Sequence, residues 1–273
     1  MTRHVDWIPE SIDLGRPSTA RMYDYVLGGG HNLESDRVLV DKMLAVQPEI
    51  RRFAIMNRSF LRRAVLFMME AGIRQFLDLG SGIPTVGNVH EIAEEIDPES
   101  RVVYVDYEPV AVAHSRLLLE GNDRAVMVQA DITEPDIVLN DPDTQRTLDF
   151  TKPVGLLAVT IGHHVGPEHD PVGVFARYRD VVVSGSYLAI THTCMELNTT
   201  RNEEAGDIVR KSNINIYPRS KEDILALFGD FDLVEPGLVG TSQWRPDRAE
   251  DAAAHPSEDS MYAGVGIKPE VEG

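Results

Sequence analysis

The 273-residue chain contains a single cysteine, Cys194. No intrachain disulfide is therefore possible, which fits a reducing compartment. Cys194 ends an apolar run and reads as a small buried hydrophobe. No apolar run approaches the roughly 20 residues that span a bilayer. Residues 1–7 carry no apolar core of the kind that directs secretion. These gaps lead to the expectation of a cytoplasmic protein without membrane contact. Dense Lys/Arg runs are missing too: 26 basic side chains stand against 44 acidic ones, for a net charge of −18. Phosphate contacts need a basic stripe, so no nucleic-acid partner is expected and a small-molecule substrate is favoured. The densest basic stretch, Arg51-Arg52, Arg58 and Arg62-Arg63, reads as a solvated helix face.

What is present is an ordinary globular composition, 42% hydrophobic and 26% charged, with enough chain for one α/β domain and a helical extension. The extension covers residues 1–72. Its first helix lies within Pro17–Leu27, capped by Ser18 or Thr19 and stopped by Gly28-Gly29-Gly30. That triple glycine is either a flexible hinge or part of a lid that folds Tyr23, Tyr25 and His31 over a pocket. Further helices fit Leu33–Val46 and Asn57–Ala71, the latter closed by Gly72.

From residue 73 to 273 strands alternate with amphipathic helices, the pattern of a doubly wound, Rossmann-like sheet. Strands are expected at Gln75–Leu79, Arg101–Val105, Ala125–Gln129, Val154–Thr160 and Ser186–Thr191. The helix after the first strand should bury Val89, Ile92, Ala93 and Ile96. The next should present Val112, Ala113, Arg116 and Leu117. A short helix is expected near Thr144–Leu148, and longer ones from Pro171, over Thr200–Ser212 and over Ser220–Phe228. Phe231–Val234 and Met261–Ile267 form a closing antiparallel pair, and Pro246–Ser260 between them reads as an acidic surface excursion.

The first strand runs into a glycine turn, Asp78-Leu79-Gly80-Ser81-Gly82-Ile83-Pro84-Thr85. In an open α/β sheet such a turn sits where ligands bind. Gly80 and Gly82 permit positive φ and leave room for a ligand at the backbone. A dinucleotide fingerprint would place its third glycine at Thr85 and would not place an acid at Asp78. A carboxylate there opposes a pyrophosphate and suits an ammonium group. Asp106 ends the second strand and can accept both hydroxyls of a ribose. Asp131 ends the third, where it can accept from an adenine amine while Ile132 packs on the ring. Three acids at consecutive strand ends match a sulfonium ligand with an ammonium group and match a phosphorylated nucleotide poorly.

Phe76–Gly87, Val102–Pro109 and Val128–Pro135 resemble the motifs of class I S-adenosylmethionine (SAM)-dependent methyltransferases. More closely, Pro17–Asn32, Asn57–Ala64, Phe231–Pro246 and Tyr262–Pro269 are similar to a bacterial family called S-adenosyl methyltransferase. The resemblance implies a seven-stranded sheet, six strands parallel and the last one antiparallel. It implies SAM as cofactor, with contacts at Asp78, Gly80, Gly82, Asp106, Asp131 and Ile132. Ser81, Tyr107, Thr160, Ile161 and Tyr23 join them as candidate cofactor-binding residues. Pro84 departs from the general pattern, in which a third glycine often sits there.

Methyl transfer from a sulfonium is an in-line displacement that mainly requires alignment and exclusion of water. A base is needed only where the acceptor must lose a proton. His163 and His164 after the fourth strand, His192 after the fifth, and Tyr25 are the candidates. No Asn-Pro-Pro-aromatic run follows the fourth strand, as an adenine or glutamine methylase would have. His163-His164 with Glu168, His169 and Asp170 fit no common zinc spacing, so no metal is expected. The sequence thus reads as a methyltransferase acting on an unidentified small molecule. A SAM-binding regulator without transfer activity is the alternative, and an NAD(P)-dependent oxidoreductase a more distant one.

Overall fold

The computed structural model describes residues 13, 15–83, 87–197, 199–252 and 259–270. Pro84, Thr85 and Val86 of the glycine turn lie outside the described residues. Three helices come first: α1 (Thr19–Val26), α2 (Glu34–Val46) and α3 (Ile50–Glu70). The last starts a full two turns before the expected Asn57. It ends as expected, with Gly72 at φ 96° and the Ile73 and Gly72 amides returning to the Met68 and Met69 carbonyls.

The α/β part alternates β1 (Gln75–Leu79), α4 (Val89–Glu94), β2 (Arg101–Asp106), α5 (Pro109–Leu118) and β3 (Ala125–Gln129). Two short helices follow, α6 (Pro135–Asn140) and α7 (Pro142–Thr147). Then come β4 (Gly155–Val159), α8 (Pro171–Asp180), β5 (Tyr187–Thr193), α9 (Thr199–Arg210) and α10 (Lys221–Ala226). The chain closes with β6 (Asp232–Leu233), β7 (Val239–Gly240) and β8 (Met261–Ile267). Local chemistry sets several starts. Glu108 accepts the Ala111 amide ahead of Pro109 in α5, and Ser220 Oγ accepts the Asp223 amide in α10.

The sheet order is β3-β2-β1-β4-β5-β8-β6, with β7 also on β8. Strands β1 to β5 are mutually parallel, and β8 runs antiparallel between β5 and β6. The expected antiparallel closing strand is therefore present, inserted one place in from the edge. The two-residue β7 brings the count to eight. Strand order reverses at β1, between β2 and β4, and a crevice opens at the carboxyl ends of such strands.

Alternation along β1 puts Leu77 and Leu79 on one face, in a core with Val138, Phe175, Tyr178 and Ile224. Phe76 faces the other way, with Phe60, Val65 and Met68 of α3 and Ile92 of α4. Period two therefore sends Asp78 to the α3 face. A third cluster joins α1, α2 and α3 to α9 through Met22, Val26, Val40, Ala54 and Val209. Three expected positions are exposed. Ile96 lies beyond the end of α4, and Arg116 and Leu117 take the solvent side of α5.

Candidate active site

Four strand-end features meet in the crevice. The Gly80 and Ser81 amides donate to the Val105 carbonyl at 2.8 and 3.0 Å, tying the glycine turn to β2. Gly80 and Gly82 both have φ of 69°, in the left-handed region that favours glycine. Their reasons differ. A Cβ on Gly80 would lie 2.3 Å from the Ile161 side chain, so this crevice-lining glycine also admits a neighbour after β4. A Cβ on Gly82 would meet nothing within 4 Å.

Asp106 accepts the Gly82 amide on Oδ2 at 2.8 Å and the Glu108 amide on Oδ1 at 2.9 Å. With about four lone-pair sites on its two oxygens, the carboxylate has room for a further donor. Burial pushes its carboxyl up to about 6, against the pull of those two amides. Asp78 is buried, and no described residue donates a hydrogen bond to it. Burial raises it to about 7, opposed by the nearby Arg58 and reinforced by Asp106. Two carboxyls in one crevice are thus pushed above the usual carboxylate range, the kind of perturbation that marks functional sites.

The floor between them is supplied by α3. The buried Asn57 Nδ2 donates to Tyr23 Oη at 2.9 Å and to Thr160 Oγ1 at 2.5 Å, while its Oδ1 has no partner. Thr160 is held at φ 64°, a rare state for a β-branched residue, and its amide donates to Thr191 Oγ1 at 2.9 Å. Arg58 donates to the Gly87 carbonyl at 2.8 Å and lines the same crevice. The enclosed part holds about 110 Å³ and is bounded by Asp78, Gly82, Asp106, Tyr107, Thr160 and Ile161. Asn57, Arg58, Thr19 and Tyr23 of the helical extension also line it.

Asp131 and Ile132 do not line that volume. Asp131 is exposed at the end of β3, its Oδ1 taken by the Thr133 amide and hydroxyl, and Ile132 is packed in the sheet core. Tyr107, 60% exposed, follows Asp106 and lines the crevice.

Beside the crevice lies a second cavity of about 440 Å³, walled by α1, α2, α3 and α9 and by the residues after β4 and β5. Met22, Val26, Val40, Met43 and Phe53 make it largely apolar, and buried Cys194 lines it, its thiol pushed up to about 11 by burial.

Among the candidate bases, Tyr25 does not reach either volume. Its hydroxyl bonds Asp41 at 3.1 Å and the Arg51 guanidinium lies over its ring. His192 is fully buried, with Nδ1 on the Thr193 carbonyl at 2.6 Å and Nε2 accepting from Arg219 at 2.7 Å. With both nitrogens engaged and its pKa pushed down to about 4, chiefly by burial, it is an anchor and not a base. Arg219 also donates to the Gly162 and Val165 carbonyls at 2.9 and 2.6 Å, so it fixes the segment that carries His163 and His164. His163 is buried against the apolar cavity, and burial takes its pKa well below the usual value.

The glycine-rich turn after α1 is tied down by hydrogen bonds. Asp24 Oδ2 accepts the His31 amide and Asn32 Nδ2 at 2.8 and 2.9 Å, and the Gly29 amide returns to the Asp24 carbonyl at 2.8 Å. His31 stacks on His114 with centroids 3.8 Å apart, away from both volumes. Sequence reading also missed Asn57, Arg58 and Arg219. Arg58 belongs to the basic stretch that reads as a solvated helix face.

The model of the S-adenosyl methyltransferase family matches residues 5–269. A candidate methyltransferase from Thermobifida fusca YX, solved at 1.95 Å, is 40% identical over 97% of this chain and 99% of its own, with a TM-score of 0.90. A DUF574 family protein from Streptomyces avermitilis MA-4680 is 37% identical over 94% of this chain and 99% of its own, again with a TM-score of 0.90. No curated protein matches the chain.

Proposed function

Because the chain belongs to the S-adenosyl methyltransferase family and is a SAM-dependent enzyme of methyl transfer, we propose that the crevice holds the methyl donor and the adjoining cavity a small-molecule acceptor. The observation that carries this reading is Asp78, a buried carboxylate that no described residue bonds, at the point where strand order reverses. An ammonium group in the crevice would satisfy it. Arg58, on the same wall, suits the carboxylate of an amino-acid moiety, and the unpartnered Asn57 Oδ1 offers an acceptor beside it. Asp106 suits a ribose diol as a hydrogen-bond acceptor.

The enclosed 110 Å³ accommodates the amino-acid end. The adenosine end belongs on the open side, past Gly80, Ser81 and Tyr107 toward the exposed Asp131. Bound SAM supplies an activated methyl on a sulfonium with a neutral thioether as leaving group. The residues around it have to orient the two partners and keep water away. Tyr23, Thr160 and Ile161 close the donor side. A diphosphate would meet Asp78 and Asp106 unfavourably, so nothing favours the NAD(P) alternative.

In this reading residues 1–72 form a helical extension that covers the α/β unit of residues 73–273, since Thr19, Tyr23, Asn57 and Arg58 all contribute to the crevice. No described helix is long and apolar enough to cross a membrane. A bacterial cytoplasmic enzyme without a nucleic-acid partner is consistent with the lone thiol, the net charge of −18 and the organisms of its relatives.

Calorimetry with SAM, S-adenosylhomocysteine and NAD on wild type and Asp106→Ala tests the donor site. Losing a charge-assisted contact should weaken SAM binding by roughly 1.5–3 kcal/mol. Unchanged affinity in the variant, or NAD binding in place of SAM, overturns the assignment.

A further inference from the structure

Thr19, Tyr23, Thr160 and His164 line both the donor crevice and the apolar cavity, so methyl transfer at this boundary passes among them. Two of the four are committed. Tyr23 donates its hydroxyl proton to the Ala54 carbonyl at 3.2 Å and accepts from Asn57. Thr160 Oγ1 accepts the other Asn57 proton. Thr19 offers a hydroxyl with no useful basicity.

His164 differs. Its Nδ1 lies 3.0 Å from the Asn215 carbonyl oxygen. A backbone carbonyl only accepts, so Nδ1 carries the ring proton and Nε2 of the neutral ring keeps a free lone pair. Burial lowers the His164 pKa, which keeps the ring neutral near pH 7. The carbonyl fixes one edge of the imidazole, as the orienting partner of a general base does.

The cavity itself restricts what can be presented to that nitrogen. Charged side chains among its lining residues are confined to Glu203 and Arg210, both exposed at the rim on α9. Inside, a sugar, a nucleotide or a charged amino acid would leave polar groups unpaired against Met22, Val26, Val40 and Phe53. A volume of about 440 Å³ lies within the range of drug-sized ligand pockets, and the methionine walls adapt to shape.

Resting on the donor-site reading above, we propose that the acceptor is a largely apolar small molecule carrying a hydroxyl or amine nucleophile, and that His164 Nε2 takes its proton. The acceptor lone pair forms the new bond to the methyl carbon, the S–CH₃ bond breaks with its electron pair left on sulfur, and the acceptor proton passes to Nε2. His164 then releases it to solvent.

Two probes of one shape separate the outcomes: 2-naphthol, protonated at pH 8, and naphthalene-2-thiol, largely ionised there and in need of no base. Calorimetry into S-adenosylhomocysteine-loaded protein should show both naphthyl compounds binding at least about tenfold tighter than glucose. Wild type should methylate both. His164→Gln should bind both within about threefold, keep thiolate methylation within about fivefold and lose about 100-fold or more on 2-naphthol. In His164→Ala, added imidazole should restore naphthol turnover. Equal loss on both probes, or no methylation of either by wild type, overturns the proton-accepting role. Tighter binding of glucose overturns the acceptor class. If wild type fails to bind SAM, the donor-site reading itself falls, which the SAM titration reports separately.

Discussion

The Arg21 guanidinium on α1 donates to Glu108 Oε1 at 3.0 Å, joining the helical extension to the residue that caps α5. The same side chain bonds Asp36 Oδ2 at 2.7 Å and the Arg16 carbonyl at 2.6 Å. Arg21 and Asp36 are almost completely buried, with side chains 2% and 0% exposed. Glu108 in turn donates its amide to Asp106, so the wall of the donor site is tied to a cation on the covering helix.

Removing that cation leaves two buried carboxylates without their partner. Arg21→Met is expected to cost about 3–5 kcal/mol of stability, measured by urea unfolding. It should also weaken SAM binding, because the Asp106–Glu108 turn loses its support. A loss below about 1 kcal/mol would mean that water replaces the guanidinium freely.

Gly29→Ala distinguishes a pinned turn from a flexible one. A Cβ at Gly29 would lie 2.0 Å from Asp24 Oδ1, so the carboxylate that organises His31 and Asn32 would have to move. The expected destabilisation is about 1–3 kcal/mol, the range for forcing groups into a packed site. A true hinge would tolerate the methyl group with no change in thermal unfolding.

How much of this was legible in the sequence follows from the geometry of each element. The strands are legible because alternation and short, bounded apolar runs are what a buried extended segment requires, and strand-end acids come with them. Helix positions are less transparent. Tyr23 and Tyr25 are two residues apart on α1, about 200° around the axis, so only one could enter the crevice. Nothing in the local sequence says which. Arg58 and Arg63 looked like parts of one basic face. Yet Arg58 lines the donor crevice, and buried Arg63 donates to the Trp244 and Thr241 carbonyls. Those partners lie far along the chain, and no window of sequence contains both ends. The acceptor cavity was hidden for the same reason, since α9 completes it from more than 150 residues beyond α2.

Thr160 carries a measurable conflict. Its φ of 64° costs of order 1–3 kcal/mol, which glycine would relieve. Glycine would also remove the oxygen that accepts from buried Asn57, worth about 1–3 kcal/mol. Thr160→Gly should therefore change stability by no more than about 2 kcal/mol in either direction while methyl transfer falls. A variant as active as wild type would show that neither the strain nor the hydroxyl serves the reaction.

Asp78 makes the sharpest pH prediction. Its folded-state pKa, about 7, lies above the ordinary value of 3.8. Between those values the folded state binds more protons than the unfolded state, so stability from this group falls as pH rises. Below pH 4 both states are protonated and the effect vanishes. Above pH 7 the full cost of a buried charge is present. Asp78→Asn, which mimics the neutral acid, should match wild type near pH 4 and unfold at least about 3 °C higher at pH 8 without ligand. Binding of an ammonium-bearing donor favours the ionised form, so at pH 6.5 SAM should release a proton from wild type and bind more tightly as pH rises. Titrations in buffers of different ionisation enthalpy measure that release, and Asp78→Asn should abolish it with most of the affinity. A variant less stable than wild type at pH 8 would mean that Asp78 serves folding, and the donor's ammonium would need another partner.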